Sequence, residues 1–281
     1  MIEARAAAGR IRRAYRRATA RSGGVWRSLV TVGGTATVGG AVAVDERADD
    51  VVRAASVNKL ALACAVLSKV DGGLLRLDQT VDLTPDLVLG GSGLYHLQPA
   101  WGDRVTLAGA LTALLLVSDN TAVRLCGQVC PGPEVNGYLA ARGFTHTRVE
   151  PLPDRPQRMF LGTTTAREAH ALLVSLAAGT MVGPASSEFL LDVLRSTSGF
   201  HDGVRRTLSS GERQRVAVKH GTDDDHRHEI GIVFDGAGAP AVVFAFLATL
   251  PGYGHDHGAT NPLTRARARL GRVMVESART R

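Results

Sequence analysis

Ser56-Val57-Asn58-Lys59-Leu60-Ala61-Leu62-Ala63-Cys64-Ala65-Val66-Leu67-Ser68-Lys69-Val70, closed by Asp71-Gly72-Gly73, is the stretch that decides how this chain folds. Leu60, Cys64, Leu67 and their neighbours keep a helical rhythm, and the glycine pair stops it, so residues 56–70 read as a helix. Ser56 and Lys59 stand at its start, three residues and one turn apart, with hydroxyl facing amine. A serine hydroxyl is a poor nucleophile until a base takes its proton. An amine can do so only when uncharged. Of the 33 Lys and Arg residues only Lys59, Lys69 and Lys219 are lysine. Lysine shifts its pKa readily on burial, whereas arginine cannot deprotonate.

The chain has 281 residues, 44% hydrophobic and 21% charged, an ordinary globular balance long enough for one large domain or two smaller ones. Its net charge is +7, and the excess lies at the ends: Arg5, Arg10, Arg12, Arg13, Arg16, Arg17 and Arg21, then Arg265, Arg267, Arg269, Arg272, Arg279 and Arg281. Few aromatic residues interleave with them, so these runs read as solvated helix faces and no nucleic-acid partner is expected. No apolar run is long enough for a transmembrane helix, and no membrane partner is expected. Arg12-Arg13 ahead of the weakly apolar residues 28–44, with Ala41-Val42-Ala43 as a cleavage-like site, has the outline of a twin-arginine export signal. A cut there would remove two expected strands, 26–32 and 35–44, that bend at Gly33-Gly34. A cytoplasmic protein is therefore the reading taken, with export as the alternative. Cys64, Cys126 and Cys130 are odd in number and read as free buried thiols.

The order of elements is a helix at 3–21, two strands, a long helical middle, three strands and a last helix. The middle helices fall at 56–70, 105–117, 121–129, 164–178 and 186–197, with Thr163 or Thr164 as N-cap of the fourth. The late strands fall at 215–220, 229–234 and 241–248, rich in Val and Phe, and the closing helix at 261–278. The organisation expected is an α/β domain built from two separate pieces, 1–52 and 200–281, around a helical domain at 53–199.

Two further motifs stand at telling places. Ser118-Asp119-Asn120 ends an apolar helix, and Lys219-His220-Gly221 closes an expected edge strand. The order Ser-x-x-Lys, Ser-Asp-Asn, Lys-x-Gly, on helix start, inter-helix loop and strand, is far more specific than any one of the three. Together they make the chain resemble the penicillin-recognising serine enzymes, in particular the class A β-lactamases. The likeness extends to the Gly143-Phe144 turn, the Thr163-Thr164-Thr165 helix entry and His228-Glu229-Ile230-Gly231-Ile232-Val233. The resemblance implies an antiparallel sheet flanked by helices plus an all-helical domain, with the site at their junction. It also implies that Ser56 is acylated with Lys59 as base, that Ser118 relays a proton to the leaving nitrogen, and that Asn120 holds a substrate amide. Lys219 would bias Ser118 and attract a substrate carboxylate. Gly221 belongs to the third motif, and the backbone N–H groups of Ser56 and Thr222 would form the oxyanion hole.

The departures are specific. His220 stands where the family usually has Thr or Ser, and should reshape the carboxylate pocket unless its ring packs away; it also raises the prospect of pH-dependent binding. Glu150-Pro151-Leu152-Pro153-Asp154-Arg155-Pro156 keeps a Glu-Pro but lacks the Leu-Asn of the family's deacylation loop. The loop reads as shortened, Gly162 replaces the Asp that clasps it, and Glu150 is only a candidate deacylation base. Three readings follow: a hydrolase of a β-lactam, ester or amide; an intracellular transacylase or esterase; and a non-catalytic module that binds a small molecule. Asp223-Asp224-Asp225-His226-Arg227-His228-Glu229 and His255-Asp256-His257 contain metal-ligand residue types, but the first reads as a solvated hairpin loop. No cofactor or metal is expected.

Overall fold

The computed structural model describes residues 2–33, 40–98 and 102–278. Helix α1 (Ile2–Ser22) leads into β1 (Val25–Val32), β2 (Ala41–Glu46) and the short β3 (Val52–Arg53). A single 3-10 turn, Ala55–Asn58, feeds α2 (Lys59–Asp71). Then come β4 (Thr80–Asp82), β5 (Arg104–Thr106), α3 (Leu107–Leu116), α4 (Asn120–Val129), α5 (Gly132–Ala140), β6 (Arg148–Leu152) and β7 (Arg155–Thr164). The chain closes with α6 (Ala166–Ala177), α7 (Pro184–Arg195), α8 (Ser210–Arg213), β8 (Val216–Asp223), β9 (His226–Phe234), β10 (Pro240–Thr249) and α9 (Pro262–Ser277). Gly34 and residues 35–39 of the expected second strand lie outside the described residues. No described helix is long and apolar enough to cross a membrane.

An antiparallel five-stranded sheet runs β2-β1-β10-β9-β8. The period of two splits its strands between two cores. Val242, Phe244, Phe246 and Ala248 of β10 join Ala7, Ala8, Ile11, Tyr15 and Ala18 of α1 and Leu263, Ala266, Leu270 and Met274 of α9 on one face. Val243, Ala245 and Leu247 face the other way, into the core shared with α2, α3, α6 and α7. The basic residues of α1 thus lie on its solvent side, opposite the Ala7–Ala18 stripe. Tyr15 pins the helix to the sheet by donating to Ser28 Oγ at 3.0 Å.

Helix α2 is the centre of the second core. Lys59 and every residue from Leu60 to Leu67 are buried. A helix that is apolar on all sides has no face to give to solvent and is packed around on all sides. The expected helix at 56–70 is correct in place but not in its first turn, which is 3-10 rather than α.

Residues 150–156, expected as a shortened loop, fall within the antiparallel hairpin β6–β7, with Pro153-Asp154 at its turn. β6 is the edge strand of the order β3-β7-β6, which is where a proline without an N–H can be placed; the register shifts at Pro151/Leu152. Side-chain amides hold the hairpin to the helices. Asn58 Nδ2 donates to Leu161 O and Thr163 O, both at 2.8 Å, and Asn136 exchanges two bonds with the backbone of Val149. Helix α5 and the pair β4–β5 were not anticipated, and the cap of α6 is Thr165, whose side chain accepts from Glu168 N, not Thr163 or Thr164. The run 223–229 is not a solvated loop: β8 and β9 extend to a turn at Asp224-Asp225, and Arg227, His228 and Glu229 are buried.

Gly162 adopts φ 57°, and a Cβ on it would lie 2.0 Å from Arg148 O. Gly162→Ala should therefore cost at least about 2 kcal/mol through backbone strain and overpacking. The expected readout is a lower midpoint in urea unfolding; an unchanged midpoint would mean that the hairpin does not depend on this close approach.

Candidate active site

Ser56 lies in the 3-10 turn and Lys59 begins α2, so the two are delivered three residues apart by one continuous helical segment. Ala55, just before Ser56, has φ 45°, and Ser118 has φ 55°. Only Arg47 and Asp224 share this left-handed geometry among the other described non-glycine residues. Each such residue costs about 1–3 kcal/mol, and strain of this kind collects where a structure over-determines a functional geometry.

The Lys59 amine is buried and reaches the 118–120 turn. Its Nζ lies 2.5 Å from Ser118 O, 3.1 Å from Ser118 Oγ and 2.8 Å from Asn120 Oδ1. Burial lowers its pKa to about 7, against the smaller opposing pull of Asp119. A neutral amine has two hydrogens for these three oxygens, which leaves its lone pair for a hydroxyl. Asp119 is a builder of the turn: buried, it caps α4 by accepting from Ala122 N at 3.0 Å and also accepts from Leu94 N at 2.6 Å and Tyr95 N at 3.0 Å. Asn120 donates to Gly90 O at 2.9 Å. The loop at 90–95 is thereby tied to the same turn.

Strand β8 brings the third motif from the sheet. Lys219 Nζ is 3.1 Å from Ser118 Oγ and 2.8 Å from His220 O. Burial holds this amine well below its ordinary pKa, and the charge of Lys59 lowers it further. Two amines thus converge on one hydroxyl, and Ser118 can pass a proton between them. Gly221 allows the approach of strand to helix: a Cβ there would lie 3.0 Å from both Ser56 N and Val57 N. His220 does not point away. Its ring stacks on Phe200, centroids 4.1 Å apart and planes at 20°, and lines the cleft beside Ser56. Burial first, then the charges of Lys219, Arg267 and Lys59, hold its pKa well below the histidine range, so the imidazole is neutral and no pH switch at neutral pH is expected from it.

Ser56 borders two cavities. One of about 420 Å³ is shared with Ser118, Asn120, Phe200, His220 and Thr222. The other, about 590 Å³, is shared with Arg53, Glu150, Phe160, Leu161, Gly162 and Thr222. Glu150 is exposed on β6, opposite Phe160, and faces this second cavity. The structure therefore brings together Ser56, Lys59, Ser118, Asn120, Lys219, His220, Gly221 and Thr222, and sets Glu150 at the rim. Asn58, Asp119 and Phe200 also shape the site. The first two stand inside the motifs, where only the three-dimensional contacts reveal their work; Phe200 carries no sequence signal. Among the described residues no group of three or more His, Cys, Asp or Glu is placed to hold a metal ion. Cys64, Cys126 and Cys130 are buried and unpaired with one another. Lys69 Nζ donates to Val129 O at 2.6 Å and to Glu134 Oε2 at 2.6 Å.

A family model described as "Beta-lactamase enzyme family" matches residues 11–276. Among solved structures, an ancestral class A beta-lactamase shares 26% identity at TM-score 0.77, over 95% of this chain and 99% of that one. A beta lactamase from Burkholderia vietnamiensis shares 24% at TM-score 0.77, over 95% of each chain. PBP-A, solved as its penicillin G acyl-enzyme, shares 19% at TM-score 0.75, over 96% of each. Among curated proteins none matches.

Two outcomes follow from the buried amine. The rate of Ser56 labelling by an activated ester should rise with pH through about 7, where Lys59 loses its proton. Lys59→Arg should reduce that rate by about 10²–10⁴-fold, because charge is kept and the base is lost. A flat pH profile, or full labelling of the arginine variant, would place the base elsewhere.

Proposed function

The chain belongs to the beta-lactamase enzyme family and is a serine hydrolase of that type, and from this premise we propose that it opens a β-lactam, ester or amide through an acyl-Ser56 intermediate. The observation that carries this reading is the double contact at Ser118, whose Oγ lies 3.1 Å from the amines of both Lys59 and Lys219.

Neutral Lys59 takes the proton of Ser56 Oγ as the oxygen bonds to the substrate carbonyl. The oxyanion that forms meets the backbone N–H groups of Ser56 and Thr222; one such donor is worth about a hundredfold or more in rate. The bond from the carbonyl carbon to the leaving nitrogen or oxygen then breaks. Its proton comes from Lys59 through the Ser118 hydroxyl, and Lys219 biases that hydroxyl towards donation. Asn120, anchored between Lys59 and Gly90, presents its amide to the acyl side chain. Water finishes the turnover from the side of the larger cavity, with Glu150 at its rim as the base. Because Glu150 is exposed on a hairpin, deacylation is expected to be slow relative to acylation.

Intact-protein mass spectrometry after exposure to penicillins, cephalosporins and activated esters tests the whole scheme. An acyl adduct should form on the unmodified protein and be absent in Ser56→Ala. Glu150→Gln should slow its decay by about 10²-fold or more. No adduct across that panel would sink the acyl-enzyme, and an unaltered decay would remove Glu150 from the reaction.

A further inference from the structure

The two cavities beside Ser56 differ in charge. The larger carries Arg53, Glu150 and Asp223. The smaller, on the Ser118 side, is lined among the described residues by no Lys, Arg, Asp or Glu; its wall is hydroxyls, amide and rings, with Phe200 and His220 stacked along it and His257 also lining it. The cations near it are committed elsewhere. Lys59 is turned to Ser118 O and Asn120, and Lys219 to Ser118 Oγ and His220 O. Arg205 gives its guanidinium to the carbonyls of Leu194, Ser196 and Val216. Arg267, whose charge reaches His220, is buried on α9 with Nε 3.5 Å from Glu229. Arg53 forms a 2.7 Å ion pair with Asp223 on the far side.

A carboxylate placed in this cavity would lose water without a lining Lys or Arg, among the described residues, to pair with directly, and a desolvated anion without a partner is costly. A flat uncharged group would meet the ring wall favourably. We propose that the Ser118-side cavity receives the leaving group of an uncharged ester or amide, so that the preferred acyl donor carries no carboxylate beside the scissile bond. This rests on the acyl-Ser56 reading and narrows it. In the step itself, the bond from Ser56 Oγ to the acyl carbon forms while the bond from that carbon to the leaving oxygen or nitrogen breaks. The departing alcohol or amine carries away the proton that Oγ gave up. Lys219 then serves Ser118 rather than a substrate carboxylate, the role that resemblance alone would assign it.

The test is a matched pair of donors with one acyl group: a phenyl ester and its 3-carboxyphenyl counterpart, each rate normalised to that ester's hydrolysis by hydroxide. The second-order rate of acyl-Ser56 formation is followed by phenol release and intact mass. The phenyl ester should react at least about tenfold faster, a difference of about 1.4 kcal/mol. Equal or faster reaction of the carboxylated ester would overturn this proposal and leave the acyl-enzyme standing. Failure of both esters to acylate Ser56 would overturn both. In folded His220→Arg, which places a cation in the wall, the ratio should swing towards the carboxylated ester by about tenfold or more, the worth of a charge-assisted hydrogen bond. An unmoved ratio in that folded variant would equally count against the neutral cavity.

Discussion

The burial of one amine governs this molecule. Lys59 begins a helix that is apolar on every side, so packing that helix in the core carries the amine out of water with it. A desolvated ammonium is costly unless it is fully hydrogen-bonded, and the cheaper outcome is loss of the proton. Both happen here: Ser118 O, Ser118 Oγ and Asn120 Oδ1 surround the nitrogen, and its pKa falls to about 7. The lowered pKa of Lys59 is therefore a by-product of how α2 is packed. The turn that receives it must hold an inward carbonyl and hydroxyl at one residue, which Ser118 does in a left-handed conformation. Asp119 stabilises that conformation from behind by capping α4 and holding the backbone at 94–95.

The second constraint is closeness. Lys219 sits on β8, an edge strand of the main sheet, and can reach Ser118 only if that strand lies directly against the 3-10 turn at 55–58. Gly221 removes the side chain that would hold them apart. Two amines near one oxygen cannot both be charged without mutual cost. The charge of Lys59 lowers the proton affinity of Lys219, on top of the effect of burial.

The two sides of Ser56 have diverged in character. On one side the hairpin β6–β7 stands where a loop was expected, fastened by Asn58 and Asn136, and it sets Glu150 at an open rim beside charged neighbours. On the other, the replacement of a small hydroxyl by an imidazole lets Phe200 and His220 form a stacked, neutral wall. Among the described residues, charged side chains line the first side and none lines the second.

The sequence by itself determined the order of the main helices and of the strands of the large sheet, the Val- and Phe-rich character of those strands, and the three motifs that bring Ser56, Lys59, Ser118 and Lys219 to notice. Those features are local: periodicity and spacing report which residues share a face of one helix or strand. Only the tertiary structure decided that Glu150 lies on a hairpin and that Arg227, His228 and Glu229 are buried. Only it decided that His220 packs on a phenylalanine twenty residues away, and that Asn58 serves the hairpin. Each of these depends on contacts between segments distant in the chain, and on the neighbours that set the desolvation of each group. No window of sequence contains them.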